Sequence, residues 1–235
     1  MEASSILFRC SSLGHIMTEP RGKGEGLSET TKNHLVDKFV SVKYGRNTDI
    51  FTKYTTKGLK VEDDSITLYS RLTKEFYTKN EETISNEWIS GTPDLYKGEE
   101  ITKATHIIDI KSSWDIFTFF RTKNKELNKM YYWQLQGYMW LTGAETATLA
   151  YCLVNTPDTM IQDEKRRIAW KMGLIDDVDQ DYIQACEEID KLSIYDDIQL
   201  IERVNSIAVY RNDDDIEKLK TRIELCRTWM EQNLL

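Results

Sequence analysis

The 235-residue chain has no apolar run approaching a membrane span, no paired-cysteine motif, no Walker-type glycine–lysine loop, and no internal repeat or low-complexity segment. Each absence removes a class of protein. A spanning helix needs about 20 consecutive apolar residues. The N-terminus also lacks the basic stretch and long apolar core of a secretory signal. A cytoplasmic location is therefore expected. Cys10, Cys152, Cys186 and Cys226 are far apart and form no CxxC pair, which reads as reduced, mostly buried thiols. Without a phosphate loop, any ATP-driven partner would have to be a separate chain.

What is present describes one well-buried soluble domain: 40% hydrophobic and 30% charged residues. The net charge of −8 argues superficially against a nucleic-acid partner. Its distribution matters more. The whole acidic excess lies in residues 157–235, and residues 1–156 are balanced. A neutral N-terminal two-thirds with local basic clusters is compatible with DNA binding, because a metal-binding site must itself contain acidic residues.

The chain is organised around Ile89 to Trp114. Pro93-Asp94 precedes a short polar turn at Lys97-Gly98-Glu99-Glu100, and the apolar run Ile107-Ile108 then leads into Asp109-Ile110-Lys111. Side chains alternate along a strand, so Asp109 and Lys111 should project from one face. The turn can fold Asp94 back beside them. Two carboxylates suit a hard divalent cation. A lysine beside them can polarise water or steady charge on a phosphate. An acidic residue two before a lysine is weak evidence alone, and it recurs at Asp163-Glu164-Lys165 in a polar helical stretch. The buried-looking strand around Asp109 separates the two cases.

Along the chain, residues 1–33 are rich in Ser, Gly and Thr, with a flexible loop at Pro20–Gly26. Phe8 to Ser12 reads as a helix start, where Arg9, Ser11 and Ser12 either grip a phosphate or form a simple N-cap. Leu35 to Tyr54 reads as helical, broken near Gly45. Gly58 then precedes an amphipathic helix from about Glu62 to Thr78. Glu62 at its start either points toward a metal or serves the helix dipole. Strands are expected around Ile84–Ser90, Pro93–Lys97 and His106–Lys111. Between Ser112 and Lys129, Phe117, Phe119 and Phe120 interleave with Arg121, Lys123, Lys125 and Lys129. Either the basic side chains meet phosphates while the aromatics stack on bases, or this is a solvated loop with its aromatics in the core.

Lys129 to Thr142 reads as an aromatic-rich helix with Gln134 and Tyr138 on one face. Ala147–Val154 follows as a buried strand. Asp158–Met172 and Asp179–Leu192 read as peripheral amphipathic helices and Arg203–Arg211 as a strand. The last helix carries Ile216, Leu219, Ile223, Cys226 and Met230 on one stripe. Asp213-Asp214-Asp215 at its start are expected to serve the dipole and not a metal.

Taken in order, the pieces are a helix with Glu62, a strand, a strand with Asp94, a strand with Asp109-Ile110-Lys111, a helix with Gln134 and Tyr138, and a strand. This resembles the PD-(D/E)XK nuclease superfamily, in the branch of RecB nuclease domains, lambda-type exonucleases and YqaJ-like viral recombinases. The matched stretches are Gly58–Ser65, Gly91–Ser113 and Tyr132–Thr142, with weaker likeness at Phe8–Arg21. The resemblance implies an α/β (α+β) restriction-endonuclease-like fold: a central mixed β-sheet flanked by helices, with a helical C-terminal extension. One domain is implied over 1–235, with its core at about 55–155, a substrate-end segment at 1–54, an acidic helical insertion at 158–192 and a strand–helix unit at 203–235.

The resemblance also implies roles. Asp94 and Asp109 would bind metal together with the Ile110 backbone carbonyl, and Glu62 would orient water or a second ion. Lys111 would be the catalytic lysine, while Gln134 and Tyr138 match a Q-x-x-x-Y element of the catalytic site. Ser11 falls where lambda-type enzymes carry a serine near the substrate's 5′ phosphate, which would assign Arg9 or Ser11 to end binding, although the residues around Ser11 diverge. Many relatives have Glu where Asp109 stands, and the shorter arm bears on metal preference. The implied cofactor is Mg²⁺ or Mn²⁺. The cysteine spacing does not match iron–sulfur members, so no cluster is expected.

The implied activity is metal-dependent DNA exonuclease action, a phage-type 5′–3′ resection of duplex ends for recombination or repair. The rival readings are an endonuclease, the nuclease module of a helicase complex, and an inactive DNA-end binder. The implied partners are duplex DNA ends, a single-strand annealing protein and a ring-like homotrimer, with no membrane. The location would be the host cytoplasm if the source is viral.

Overall fold

The computed structural model describes residues 2–22, 26–47, 52–174 and 179–235. Residues 23–25 of the expected Pro20–Gly26 loop and residues 48–51 of the expected Leu35–Tyr54 helix lie outside the described residues. Seven strands and nine α-helices follow in chain order among the described residues: β1 (Phe8–Arg9), α1 (Leu13–Ile16), α2 (Glu29–Tyr44), α3 (Lys53–Lys60), α4 (Glu62–Thr73), β2 (Ile84–Ser85), β3 (Ile89–Gly91), β4 (Leu95–Lys97), β5 (His106–Ser112), α5 (Ile116–Lys123), α6 (Lys129–Thr142), β6 (Thr146–Cys152), α7 (Asp158–Met172), α8 (Gln180–Ser193), β7 (Val204–Tyr210) and α9 (Asp213–Asn233).

The strands form two sheets where the sequence suggested one: β4-β5-β6-β7 and a small β1-β3-β2 sheet. In the larger sheet β5 runs parallel to β6, and β4 and β7 pair antiparallel on either side. Alternation along β5 divides the core. Ile107 faces the cluster containing Leu135, Tyr138, Met139, Ala147 and Leu149, so α6 covers that side. Ile108 and Ile110 face Val61, Ile66, Leu68 and Tyr69, so α4 covers the other. Because both faces are covered, the run Ile107 to Ile110 is buried throughout. The stripe expected on the last helix is the buried face of α9: Ile216, Leu219, Ile223, Cys226 and Met230.

Local chemistry sets the boundaries. The Ser28 side chain accepts from the Thr31 N–H to start α2, and Gly45, at φ 63°, ends it. Asp115 and Thr118 form a reciprocal capping box at α5. Asn128 caps α6, and Gly143, at φ 79°, ends it. Asn212 caps α9 by accepting from the Asp215 N–H, which places the three aspartates in its first turn.

Four expectations need correction. Phe8-Arg9 is a short strand paired parallel with Ile89-Ser90, and only a 3-10 turn at Cys10–Ser12 leads into α1. Helix α2 begins at Glu29, ahead of the expected Leu35. The Gly58 stretch, expected only to precede a helix, is itself helical, with Gly58 inside α3. Helix α4 stops at Thr73 and not Thr78, because Lys74 adopts the left-handed conformation at φ 58° and leaves Phe76 exposed.

Candidate active site

The β4–β5 register brings the carboxylates together. Leu95 lies opposite Ile108, so one step further along the antiparallel pair sets Asp94 opposite Asp109. The Asp94 Oδ2 accepts the Ile110 N–H at 2.7 Å, which pins the side chain to β5. Asn80 straps the same turn from outside: its N–H donates to the Asp94 carbonyl at 2.8 Å and its amide to the Pro93 carbonyl at 2.9 Å.

Asp109 has no solvent exposure. Its Oδ1 accepts from Gln134 Nε2 at 2.9 Å, and the same amide donates to the Tyr138 hydroxyl at 3.0 Å. Tyr138 in turn donates to the Thr92 carbonyl at 3.3 Å. Gln134 and Tyr138 are one turn apart on α6, so this chain ties the helix to both Asp109 and the turn carrying Asp94. It also requires close backbone approach. A Cβ on Gly91 would stand 2.7 Å from the Tyr138 ring and 2.8 Å from Cys10 Sγ.

Lys111 Nζ lies 2.5 Å from Asp109 Oδ2 and 5.2 Å from the centre of the Tyr131 ring. This ion pair is the contact of the buried Asp109 Oδ2 among the described residues. Burial works against the charge on Lys111, but Asp109 and Asp94 together outweigh it and hold its pKa above the ordinary lysine value. It is an ammonium at neutral pH. Asp94 responds in the opposite sense: burial first, and then the Asp109 charge, push its carboxyl up to about 7. Burial also keeps the Tyr138 phenol protonated, well above its usual range.

These features fit a divalent cation. Two carboxylates facing each other at close range repel, and a cation between them relieves that repulsion. Among the described residues, no three His, Cys, Asp or Glu side chains gather as a metal cage. An ion here would rest on Asp94, Asp109 and the Ile110 carbonyl. Magnesium commonly binds through one or two carboxylates, keeping several waters.

Glu62 is not gathered with the pair. It opens α4, on the face of the sheet opposite α6, and its Oε2 is held by Lys79 Nζ at 2.7 Å. Its charge still acts on Asp94, raising that carboxyl's pKa, though less than burial and Asp109 do.

The expected DNA contacts divide. Arg9 and Ser11 line a small cavity of about 230 Å³ with Ser90, Thr92 and Tyr138, next to the carboxylates. Ser12 Oγ instead donates to the Arg9 carbonyl at 2.8 Å, as a turn former. Arg121, Lys123, Lys125 and Lys129 are exposed on and after α5. Lys123 stacks 4.5 Å from the centre of the Phe120 ring. Phe117 and Phe120 are exposed, but Phe119 is fully buried against Leu153 and Tyr195.

Sequence reasoning missed Tyr131, Lys79 and Asn80. Tyr131 sits three residues before Gln134, and helical spacing would have found it. Nothing in the sequence marked the other two.

No protein-family model and no curated protein matches the chain. Solved structures do. A phage-related exonuclease from Haemophilus somnus 129PT superposes with a TM-score of 0.73 at 28% identity, over 97% of this chain and 95% of that one. The chain is thus similar to phage-related exonucleases, in line with the likeness its motifs bear to the PD-(D/E)XK viral recombinase branch. An alkaline exonuclease from Laribacter hongkongensis shares the fold, with a TM-score of 0.64 at 16% identity over 98% of this chain and 90% of that one. The same enzyme in complex with dAMP matches at a TM-score of 0.63. The α+β architecture with its C-terminal helix is thus shared with these exonucleases. Among the described residues, no helix is long and apolar enough to cross a membrane.

Proposed function

We propose that this chain is a Mg²⁺- or Mn²⁺-dependent DNA exonuclease that resects duplex ends from 5′ to 3′, leaving 5′-phosphorylated nucleotides, in phage-type recombination or repair. The observation that carries this reading is the placement of Asp94 opposite Asp109, with Lys111 on the same face of β5. The likeness to the Haemophilus somnus phage-related exonuclease supports it.

Asp94, Asp109 and the Ile110 carbonyl would hold the divalent ion. When bound, the ion supplies Lewis acidity at the phosphodiester. Lys111, held as an ammonium by the two carboxylates, orients the attacking water and stabilises negative charge developing on the phosphate oxygens. Water adds to phosphorus in line with the leaving 3′ oxygen, that P–O bond breaks, and the oxygen takes up a proton. Gln134 and Tyr138 are positioning residues: they keep Asp109 turned toward the scissile phosphate and the Asp94 turn against α6. Glu62, once released from Lys79, orients water. Arg9 and Ser11 meet the terminal 5′ phosphate, and Arg121, Lys123, Lys125 and Lys129 follow the DNA backbone.

Linear duplex labelled separately at each 5′ end tests the reading, alongside closed circular DNA. Stepwise loss from 5′ ends with the circle left intact is expected. Cutting of the circle would establish an endonuclease instead, and loss from 3′ ends would reverse the polarity.

A further inference from the structure

A second polar cleft, of about 820 Å³, opens beside the Arg9–Ser11 cavity and shares those two residues with it. Two helical stretches line it. Helix α2 presents His34 and Lys38 four residues apart, hence on one face, and the segment entering α1 presents Ser11 and His15. The His15 and His34 rings stack at 5.3 Å between centres, tilted by 21°. His34 Nε2 is buried and has no hydrogen-bond partner. Among the described residues neither Arg9 nor Lys38 forms an ion pair, and Asp37 is the carboxylate of the cleft. Burial first, and then the Arg9 charge, hold the Lys38 pKa below its ordinary value.

We propose that this cleft is a nucleotide-phosphate subsite, separate from the catalytic carboxylates and centred on Lys38 and His34. Lys38 and Arg9 supply the charge, and the stacked His34 and His15 rings line the wall. The small cavity lined by Ser90, Thr92 and Tyr138 leads from it to the catalytic cluster. Asp37 offsets one positive charge, which suits a single phosphate and not a polyphosphate chain. The occupant is a nucleoside monophosphate unit, either a released product or an unpaired nucleotide extending past a duplex end. The assignment of that unit rests on the exonuclease reading.

The test uses the full-length protein with Lys38→Ala, His34→Asn and the charge-conserving Lys38→Arg. Titration calorimetry with dAMP reports the subsite directly. Binding should weaken roughly tenfold in Lys38→Ala, the loss of one charge-assisted contact, recover in Lys38→Arg, and weaken less in His34→Asn, which alters only the wall. Product inhibition by dAMP and the KM for 5′-overhanging duplex then separate the two sources. A rise in the inhibition constant alone identifies released product, and a rise in overhang KM alone identifies the unpaired strand. In both cases kcat on blunt duplex stays unchanged, which also shows the variants are folded. Equal dAMP affinity in all four proteins overturns the subsite. A parent protein that binds dAMP through Lys38 yet digests no DNA retains the subsite and refutes the exonuclease.

Discussion

Replacing Asp94 by asparagine should stabilise the metal-free protein while abolishing its activity. Burial and the facing Asp109 carboxylate raise the Asp94 carboxyl from 3.8 to about 7. The folded protein therefore holds this proton to higher pH than the unfolded chain does. Stability from the group is complete below about pH 4 and is lost as pH rises through 7. Each tenfold difference in proton affinity is worth about 1.4 kcal/mol. Mutual titration with Asp109 and partial solvent access reduce the total to on the order of 2 kcal/mol at pH 8. Asparagine keeps an oxygen to accept the Ile110 N–H, now 2.7 Å from Asp94 Oδ2, and removes the charge. Thermal melting in EDTA should show the variant about 4–8 °C more stable at pH 8, with a much smaller gain at pH 5. Added Mg²⁺ should raise the melting temperature of the parent and leave that of the variant unchanged. A variant no more stable than the parent at pH 8, or equally stabilised at both pH values, would refute the reasoning.

Other perturbations test other parts of the site. Gln134→Leu strips the donor from the buried Asp109 Oδ1 and should cost about 1–3 kcal/mol in denaturant unfolding, whereas Tyr138→Phe, which keeps Gln134 on Asp109, should cost less. Gly91→Ala drives a methyl group into Tyr138 and Cys10; a loss of about 1–3 kcal/mol is expected, with cleavage lowered through the displaced Tyr138. Lys79→Ala releases Glu62 and should alter the Mg²⁺ dependence of cleavage more than the melting temperature, since half-exposed ion pairs contribute little to stability. A ring-like trimer would give a light-scattering mass three times the 27.5 kDa of one chain, and a mass of 27.5 kDa would refute it.

The parts of the fold legible in the sequence were those specified locally. The run Ile107–Ile110 could only be a doubly covered strand, and Asn128 and Gly143 bracket α6 with ordinary capping chemistry. Helix α7 matched its expected bounds at Asp158–Met172, because its start and Gly173 stop lie in adjacent residues. What was missed depends on partners distant in sequence. Phe8-Arg9 is a strand only because Ile89-Ser90 accepts it. Glu62 turns to Lys79, a residue with no motif around it. The end of α4 rests on a left-handed lysine, which no residue preference announces. At the site, the spacing of Asp109, Lys111, Gln134 and Tyr138 marked the face, but only the β4–β5 register set Asp94 opposite Asp109.

The most direct measurement is digestion of linear duplex DNA by the parent and by Lys111→Ala, each with Mg²⁺, Mn²⁺ or EDTA. The account predicts metal-dependent digestion by the parent, none in EDTA, and a loss of about a hundredfold or more in the variant at an unchanged melting temperature. Undiminished digestion by Lys111→Ala, or digestion by the parent in EDTA, would contradict the assignment of the Asp94–Asp109–Lys111 cluster as the catalytic site.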